Sequence, residues 1–377
     1  MKKWTEETRE KILGKMQAVT ERNAEKIPYI PHDGIYDNRA DRSKSFRIDD
    51  GINWWTNGFW AGIQWLLYHE TGEDQYLQAA RFTEAELDRC FDLFYGLHHD
   101  VGFMWKLSAV ADYRLTGNSE SKKRGLHAAA MLMNRFNPVG GFIRAWNDKD
   151  IALPGNKGWV IIDSMMNLPL LYWASAETGD PRFGQVAKIH ADTVQKNFIR
   201  ENGSWKHIVE FDPYTGAYVN DYGGQGYEKG SSWTRGQGWA LYGFILSYLH
   251  TTDERYLETA LRSAKYILSA IPQDGLIPID FQQPETPVVY DDIAAALFAS
   301  ALIELAKITS ENEYTEAAVK LLKALDRGHS DWNPHRDGIL THCSGAYSGN
   351  IHVNMMYGDY YYIEAVLKLC GSDLLLW

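Results

Sequence analysis

The stretch LLYHETGEDQYLQAA, residues 66–80, joins an apolar helical run to a small-residue helix through the short turn Thr71-Gly72-Glu73. Four further segments repeat this order of parts: ADYRLTGNSESKKRGLHAAA around Thr116, LYWASAETGDPRFGQVA around Thr178, LSYLHTTDERYLETA around Thr251, and LIELAKITSENEYTEAA around Thr309. Each reads as a helix end, a turn and a helix start. Gly72, Gly117 and Gly179 suit the left-handed position after a helix C-terminus, and the Glu, Asp or Asn that follows can cap the next helix. Tyr76, Phe183, Tyr256 and Tyr314, with the alanines three to four residues later, fall on one helical face. The anchors lie 45, 62, 73 and 58 residues apart, which is room for two helices and a loop of varying length. The repeat therefore predicts an all-α chain of helical hairpins.

Between the hairpins lie aromatic and Gly-rich stretches: DDGINWWTNGFW, FYGLHHDVGFMW, NPVGGFIRAWN and NDYGGQGYEKGSSWTRGQGW. They belong on the side opposite the short turns, where long loops can build a site at one mouth. A length of 377 residues would ordinarily mean two or three domains. Here no linker, low-complexity run or charge block interrupts the series, so residues 1–377 read as one domain. Six hairpins closed into an (α/α)6 barrel account for that length, and an open solenoid is the alternative. Aromatic and apolar residues at both ends, where an open array needs polar caps, favour closure.

Composition narrows the function. Hydrophobic residues are 45% and charged residues 23%, ordinary for a globular protein, but 50 of the 377 residues are Trp, Tyr or Phe. Such a content suits clefts that stack on sugar rings or bases, as well as a bulky core. The net charge of −11 removes the diffuse basic field of a nucleic-acid binder, while a few local Arg, His or Trp groups could still receive a small anion. The start, MKKWTEETREKILGKMQ, is charged and helix-like, without a signal peptide's apolar region, and no stretch approaches the ~18 apolar residues of a membrane span. Cys90, Cys343 and Cys370 stand far apart without metal-ligand spacing, so free thiols in the cytoplasm are expected.

Several chemistries lack their motif. GGQGYEKG around Gly224 has neither a preceding strand nor the spacing of a phosphate loop, and no G-x-S-x-G elbow is present. His98 and His99 are adjacent on one backbone segment and do not converge easily on an ion, so no metal and no cofactor are expected. Carboxylates among aromatics remain. Asp163 enters the apolar run VIIDSMMNLPLL as a lone acid, and Asp100 follows the two histidines. A lone acid there is a helix cap, a salt-bridge partner or a functional group. If buried it is costly when unpaired, and desolvation would raise its pKa toward that of a general acid. Arg235, between Trp233 and Trp239, could receive a ring carboxylate in bidentate fashion.

In order and across nearly the whole chain, NWWTNGFWAG, HHDVGFMW, IIDSMMNLPLLYWA, SSWTRGQGWALYGF and GDYYYIEA resemble the unsaturated glucuronyl hydrolases of glycoside hydrolase family 88. The resemblance implies an (α/α)6 barrel that removes the unsaturated uronic acid left at the non-reducing end of oligosaccharides by polysaccharide lyases. It implies hydration of the C4=C5 double bond by one Asp, here Asp163, with Asp100 as the second essential acid. Substrate contacts carried over in the same way are Trp55, His99, Trp146, His207, Gln225, Arg235 and Trp239. Relatives carry His just before Gln225, where this chain has Gly224. Family members that prefer sulfated fragments carry a Ser and Lys motif before GDYYY. Here that stretch has Ser344 and Ser348 but no Lys or Arg between Arg336 and Lys368, so unsulfated substrates are expected. The implied partner is an unsaturated uronic-acid-containing oligosaccharide, bound by a monomer or homodimer without nucleic acid or membrane. A non-catalytic barrel binding acidic oligosaccharides, or a sugar epimerase, is the alternative. An epimerase would be expected to use histidines as acid and base, and the lone acid in IIDSMMNLP favours the hydrolase.

Overall fold

In the computed structural model, which describes residues 2–41, 51–92, 96–148 and 155–377, each threonine of the repeat ends a helix. The hydroxyls of Thr71, Thr116, Thr178, Thr251 and Thr309 donate to the carbonyl four residues back, at 2.6–3.0 Å. Four of them also accept the N–H two residues ahead, those of Glu73, Asp180, Asp253 and Glu311. One hydroxyl thus closes the old helix and starts the turn. Gly72, Gly117 and Gly179 take left-handed φ of 71–77°, as expected, and Thr252 and Ser310 adopt the same conformation without being glycine. Asn118, Asp180 and Asp253 then cap the next helix through their side chains.

The turns connect an inner ring of helices to an outer one. The outer helices are α1 (Lys2–Asn23), α3 (Asp74–Leu87), α6 (Ser119–Met133), α8 (Pro181–Phe198), α10 (Glu254–Ala270) and α12 (Asn312–Gly328). The inner ones are α2 (Asn57–Thr71), the broken pair α4 (Val101–Lys106) and α5 (Ala109–Thr116), α7 (Leu168–Thr178), α9 (Thr234–Thr251), α11 (Asp292–Thr309) and α13 (Met356–Leu369). Each inner helix packs on the next, and α13 returns to α2. Outer helix α10 buries one stripe, Tyr256, Thr259, Ala260, Ser263, Ala264 and Ile267, whereas α11 is buried along nearly its whole length. The ring is closed rather than an open solenoid. Helix α1 seals it, with Arg9 on Glu70 at the end of α2 (2.6 Å) and the Trp4 indole on Asp326 of α12 (2.9 Å).

Because each of the five short turns follows an inner helix, the N-termini of these inner helices, with their positive dipole ends, lie at the opposite mouth. Short strands decorate the described part of that mouth. β1 (Pro31–His32) pairs with β2 (Ile35–Tyr36), and β3 (Phe136–Asn137) with β4 (Phe142–Ile143). A three-stranded antiparallel sheet follows: β5 (Trp159–Ile161), β6 (Ile208–Phe211) and β7 (Tyr218–Tyr222). The strand β7 directly precedes GGQGYEKG, contrary to the sequence reading, but it leads into a turn around His207 and not into a helix that could cradle phosphate. Asp49 and Asp50 of DDGINWWTNGFW and Phe94 and Tyr95 of FYGLHHDVGFMW lie outside the described residues.

Candidate active site

The strand β5 runs straight into a 3-10 turn, Ile162–Met166, which delivers Asp163 to the mouth just ahead of α7. Asp100 sits immediately before α4. The two acids meet at one imidazole: His99 Nε2 lies 3.5 Å from Asp100 Oδ1 and 3.7 Å from Asp163 Oδ1. Asn167, four residues after Asp163, ties them together. Its amide nitrogen donates to Asp100 Oδ1 (3.0 Å) and lies 3.4 Å from the Asp163 carbonyl, while its oxygen accepts the Phe103 N–H (2.9 Å). Of the lone acid's possible roles, neither helix cap nor cation pair is realised at Asp163. Its Oδ1 has no hydrogen-bond partner among the described residues, and its side chain keeps 18% exposure.

Burial pushes Asp163 well above the usual carboxylate range, and the neighbouring Asp100 charge adds to the effect. Asp100 itself is raised to about 7, also by burial, with Asn167 and Arg135 opposing. The two therefore titrate as a pair, and burial with their mutual repulsion favours a proton shared between them. Burial drives His99 well below the imidazole range, so it is neutral between the acids, and neither ring nitrogen has a partner among the described residues. A neutral His between the two carboxyls brings no positive charge that would quench a proton donor.

The other expected contacts surround this pair. His207 is brought beside Asp163 by the ladder, since Ile162 N–H donates to its carbonyl (3.0 Å). Its ring packs 4.0 Å from Trp233, its Nε2 is buried without a partner among the described residues, and burial lowers its pKa to about 4. Its Nδ1 lies 2.9 Å from Gly223 O and 3.1 Å from the Gln225 N–H, so the turn can hold either neutral tautomer. Gly224 makes that grip possible. It has φ +59°, and a Cβ there would lie 2.3 Å from His207 Nδ1, so no side chain at 224 coexists with this ring position. The Gln225 side chain is turned to Gly345 O (2.7 Å). Trp55 is half-buried against Phe103, and the buried Trp239 also touches Phe103, at 5.4 Å each. Trp146 follows Ala145, whose carbonyl accepts the His99 N–H (3.3 Å), and packs on Trp159.

Arg235 corrects an expectation. Its side chain is buried rather than open to a uronate carboxylate. Nη1 donates to Asp291 Oδ2 (2.5 Å) and Ser344 O (2.8 Å), and Nη2 to Gly345 O (2.7 Å). The guanidinium packs over Trp233 and Tyr357 and pins the 340–355 loop to the start of α11, while its charge still lowers Asp163. Sequence reasoning missed Asn167, although it stands in the motif that singled out Asp163. It also missed Trp233 as the platform under His207, and His190. The His190 Nδ1 accepts the Ile143 N–H (2.9 Å), so Nε2 carries the proton and donates to Ser164 Oγ (2.8 Å). Ser164 is accordingly held in place next to Asp163 and is not activated as a nucleophile.

Two groups bring possible metal ligands within 4.8 Å of one another among the described residues: His98, His99 and Asp100, and Asp292, His329 and His342. In the second, the imidazoles stack at 3.9 Å and 19°, so their in-plane lone pairs run parallel and do not converge, and His329 Nδ1 is hydrogen-bonded to Asp292 (2.6 Å). In the first, Asp100 is engaged by Asn167 and His99 faces both acids.

The model of Glycosyl Hydrolase Family 88 matches residues 32–369. The chain belongs to glycosyl hydrolase family 88. Within family 88 it is 36% identical over 371 residues to the unsaturated glucuronyl hydrolase of Bacillus sp. (strain GL1), covering 96% of each chain, and that enzyme's solved structure superposes with a TM-score of 0.87. An unsaturated chondroitin disaccharide hydrolase of Streptococcus pneumoniae is 32% identical over 86% of this chain and 83% of its own. The structure of an unsaturated glucuronyl hydrolase specific for heparin is 30% identical with a TM-score of 0.86, covering 99% of this chain and 100% of that one. The (α/α)6 barrel is thus the family fold, and the chain is a glycoside hydrolase.

Proposed function

We propose that this hydrolase removes the 4,5-unsaturated uronic acid from the non-reducing end of lyase-generated oligosaccharides by hydrating the C4=C5 double bond. The observation that carries this reading is the approach of Asp100 and Asp163 to one buried imidazole, with Asp163 Oδ1 left without a hydrogen-bond partner among the described residues. Burial together with the neighbouring Asp100 charge favours the protonated form of Asp163. Protonated Asp163 gives its proton to C4, and positive charge develops at C5 and the ring oxygen. Water then bonds to C5 and loses a proton to the Asp163 carboxylate, which restores the acid. The resulting hemiketal opens to a C5 ketone, and the hemiacetal left at C1 expels the neighbouring sugar. Asp100, fixed by Asn167, keeps Asp163 protonated by its adjacent charge. Trp55 and Trp239 supply stacking faces with Trp146 beside them, His99, His207 and Gln225 supply polar contacts, and Arg235 acts as a positioning residue. The anionic sugar meets the positive ends of the inner helices in an otherwise acidic protein. No step requires a metal or cofactor.

We further infer one catalytic unit, acting as a monomer or homodimer in the cytoplasm. The free thiols of Cys90, Cys343 and Cys370 support a reducing compartment, and among the described residues no helix is long and apolar enough to cross a membrane.

Unsulfated substrates are the expected preference. In the loop before GDYYY, Ser344 is buried with its hydroxyl donating to Tyr290 O (2.7 Å), and His352 Nε2 accepts the Tyr290 N–H (2.9 Å). Burial lowers both His342 and His352, so neither adds a charge at neutral pH. Loss of the unsaturated-uronate absorbance, followed on lyase-generated disaccharides of different origin, tests the activity. Comparing kcat/KM on sulfated and unsulfated chondroitin disaccharides tests the preference. A preference of about tenfold for the sulfated form, about 1.4 kcal/mol, would contradict it, and absence of turnover on every disaccharide would overturn the proposed activity.

A further inference from the structure

The family match ends at residue 369, yet residues 372–377 turn back into the closed floor of the barrel. Two basic side chains of the broken inner helix hold this segment. Arg114 donates to the carbonyls of Leu375 (2.8 Å) and Leu376 (3.2 Å), and the buried Lys106 Nζ donates to the carbonyl of Leu376. They fix Trp377, only 2% exposed, with its indole N–H on Glu364 Oε1 (3.1 Å). The indole lies parallel to Tyr361, at 5° and 6.1 Å, and contacts Phe103 (5.8 Å), Phe59 (6.1 Å) and Tyr360 (5.9 Å) edge-on.

One ring further up are the walls of the mouth. Phe103 touches both Trp55 and Trp239 at 5.4 Å, and Tyr361 touches Trp239 at 5.6 Å. The backbone N–H of Phe103 is bonded to Asn167, the residue that holds Asp100. We infer that Trp377 is a positioning residue for the sugar site: its indole, through Phe103 and Tyr361, sets the placement of Trp55 and Trp239. Close-packed aromatic layers transmit such support because a missing ring leaves its neighbours without contacts on one side. The inference rests on the reading that Trp55 and Trp239 face the substrate.

Trp377→Gly should leave an apolar, indole-shaped space with a carboxylate oxygen at its end, the kind of cavity that takes up a small aromatic molecule. The expected result is a fall of about tenfold or more in kcat/KM, carried mainly by KM, because wall rings bind ground and transition states alike. Added indole should lower KM again, a response that general destabilisation does not produce. Trp377→Phe keeps one ring, and should show a smaller rise in KM without an indole response. A folded Trp377→Gly variant with wild-type KM, or a raised KM that indole leaves unchanged, overturns the inference. If the glycine variant does not fold, an unchanged KM in Trp377→Phe overturns it and a raised one supports it. The wild type in the same assay reports separately on the activity itself, since its failure to consume the unsaturated disaccharide would sink the proposed function and not the packing.

Discussion

Asp163→Asn should abolish turnover in a folded protein. The amide has nearly the size of the acid but can neither give the proton to C4 nor take one from water, and loss of that work is worth at least ~10² to 10⁴ in rate. Circular dichroism together with the chromophore assay decides, and more than a tenth of wild-type activity in a folded variant would remove Asp163 from the acid and base role. The electrostatics add a second expected outcome. Burial raises the folded pKa of Asp163 above its unfolded value, so whatever stability it contributes is present at low pH and is lost as pH rises through the folded value. An Asn has no charge to bury. The variant should therefore melt at or above the wild-type temperature at alkaline pH, as expected of a group kept for chemistry at a cost in stability. Activity of the wild type should likewise fall on the alkaline side, where the pair gives up its shared proton.

Arg235→Ala should chiefly damage the fold. From sequence, Arg235 between two tryptophans reads as a receptor for the uronate carboxylate, and its loss would then mainly raise KM. In the structure its side chain is 2% exposed and its ion pair with Asp291 is buried on both sides. Burial already raises Asp291 to about 6 against the pull of the guanidinium, so removing the cation strands a buried carboxylate and releases the Ser344 and Gly345 carbonyls. Breaking such a pair costs about 3–5 kcal/mol. Denaturant unfolding should show that loss, and a rise in KM at unchanged stability would instead put Arg235 on the substrate. Arg235→Lys should recover part of it, because an ammonium can face Asp291 but cannot reproduce the planar fork that also serves two carbonyls.

The barrel is readable in the sequence because its repeat is local. A threonine hydroxyl and a residue with left-handed φ stand side by side at all five turns, and a side-chain cap follows at three of them. The strands at the mouth escape notice for the opposite reason: at two to five residues they are too short for an alternation to show. Asp163 is visible because an acid in an apolar run is anomalous wherever it falls. Asn167 is not, since an amide before Leu-Pro reads equally well as a helix cap, and its bonds reach Asp100 and Phe103, more than sixty residues away. Arg235 shows its charge but not its partner, which lies 56 residues on in sequence. Gly224 likewise looks like a missing contact until His207 is seen occupying the space its side chain would need.

The central claim is that the double bond is hydrated and the glycosidic bond breaks afterwards. Turnover in ¹⁸O-labelled water and in deuterated water, with the position of each label read by NMR and mass spectrometry, tests it most directly. Hydration through Asp163 predicts the oxygen label at C5, in the ketone formed when the hemiketal opens, and one deuterium at C4. Oxygen label at C1, with no deuterium at C4, would mean direct displacement at the anomeric carbon and would contradict the account.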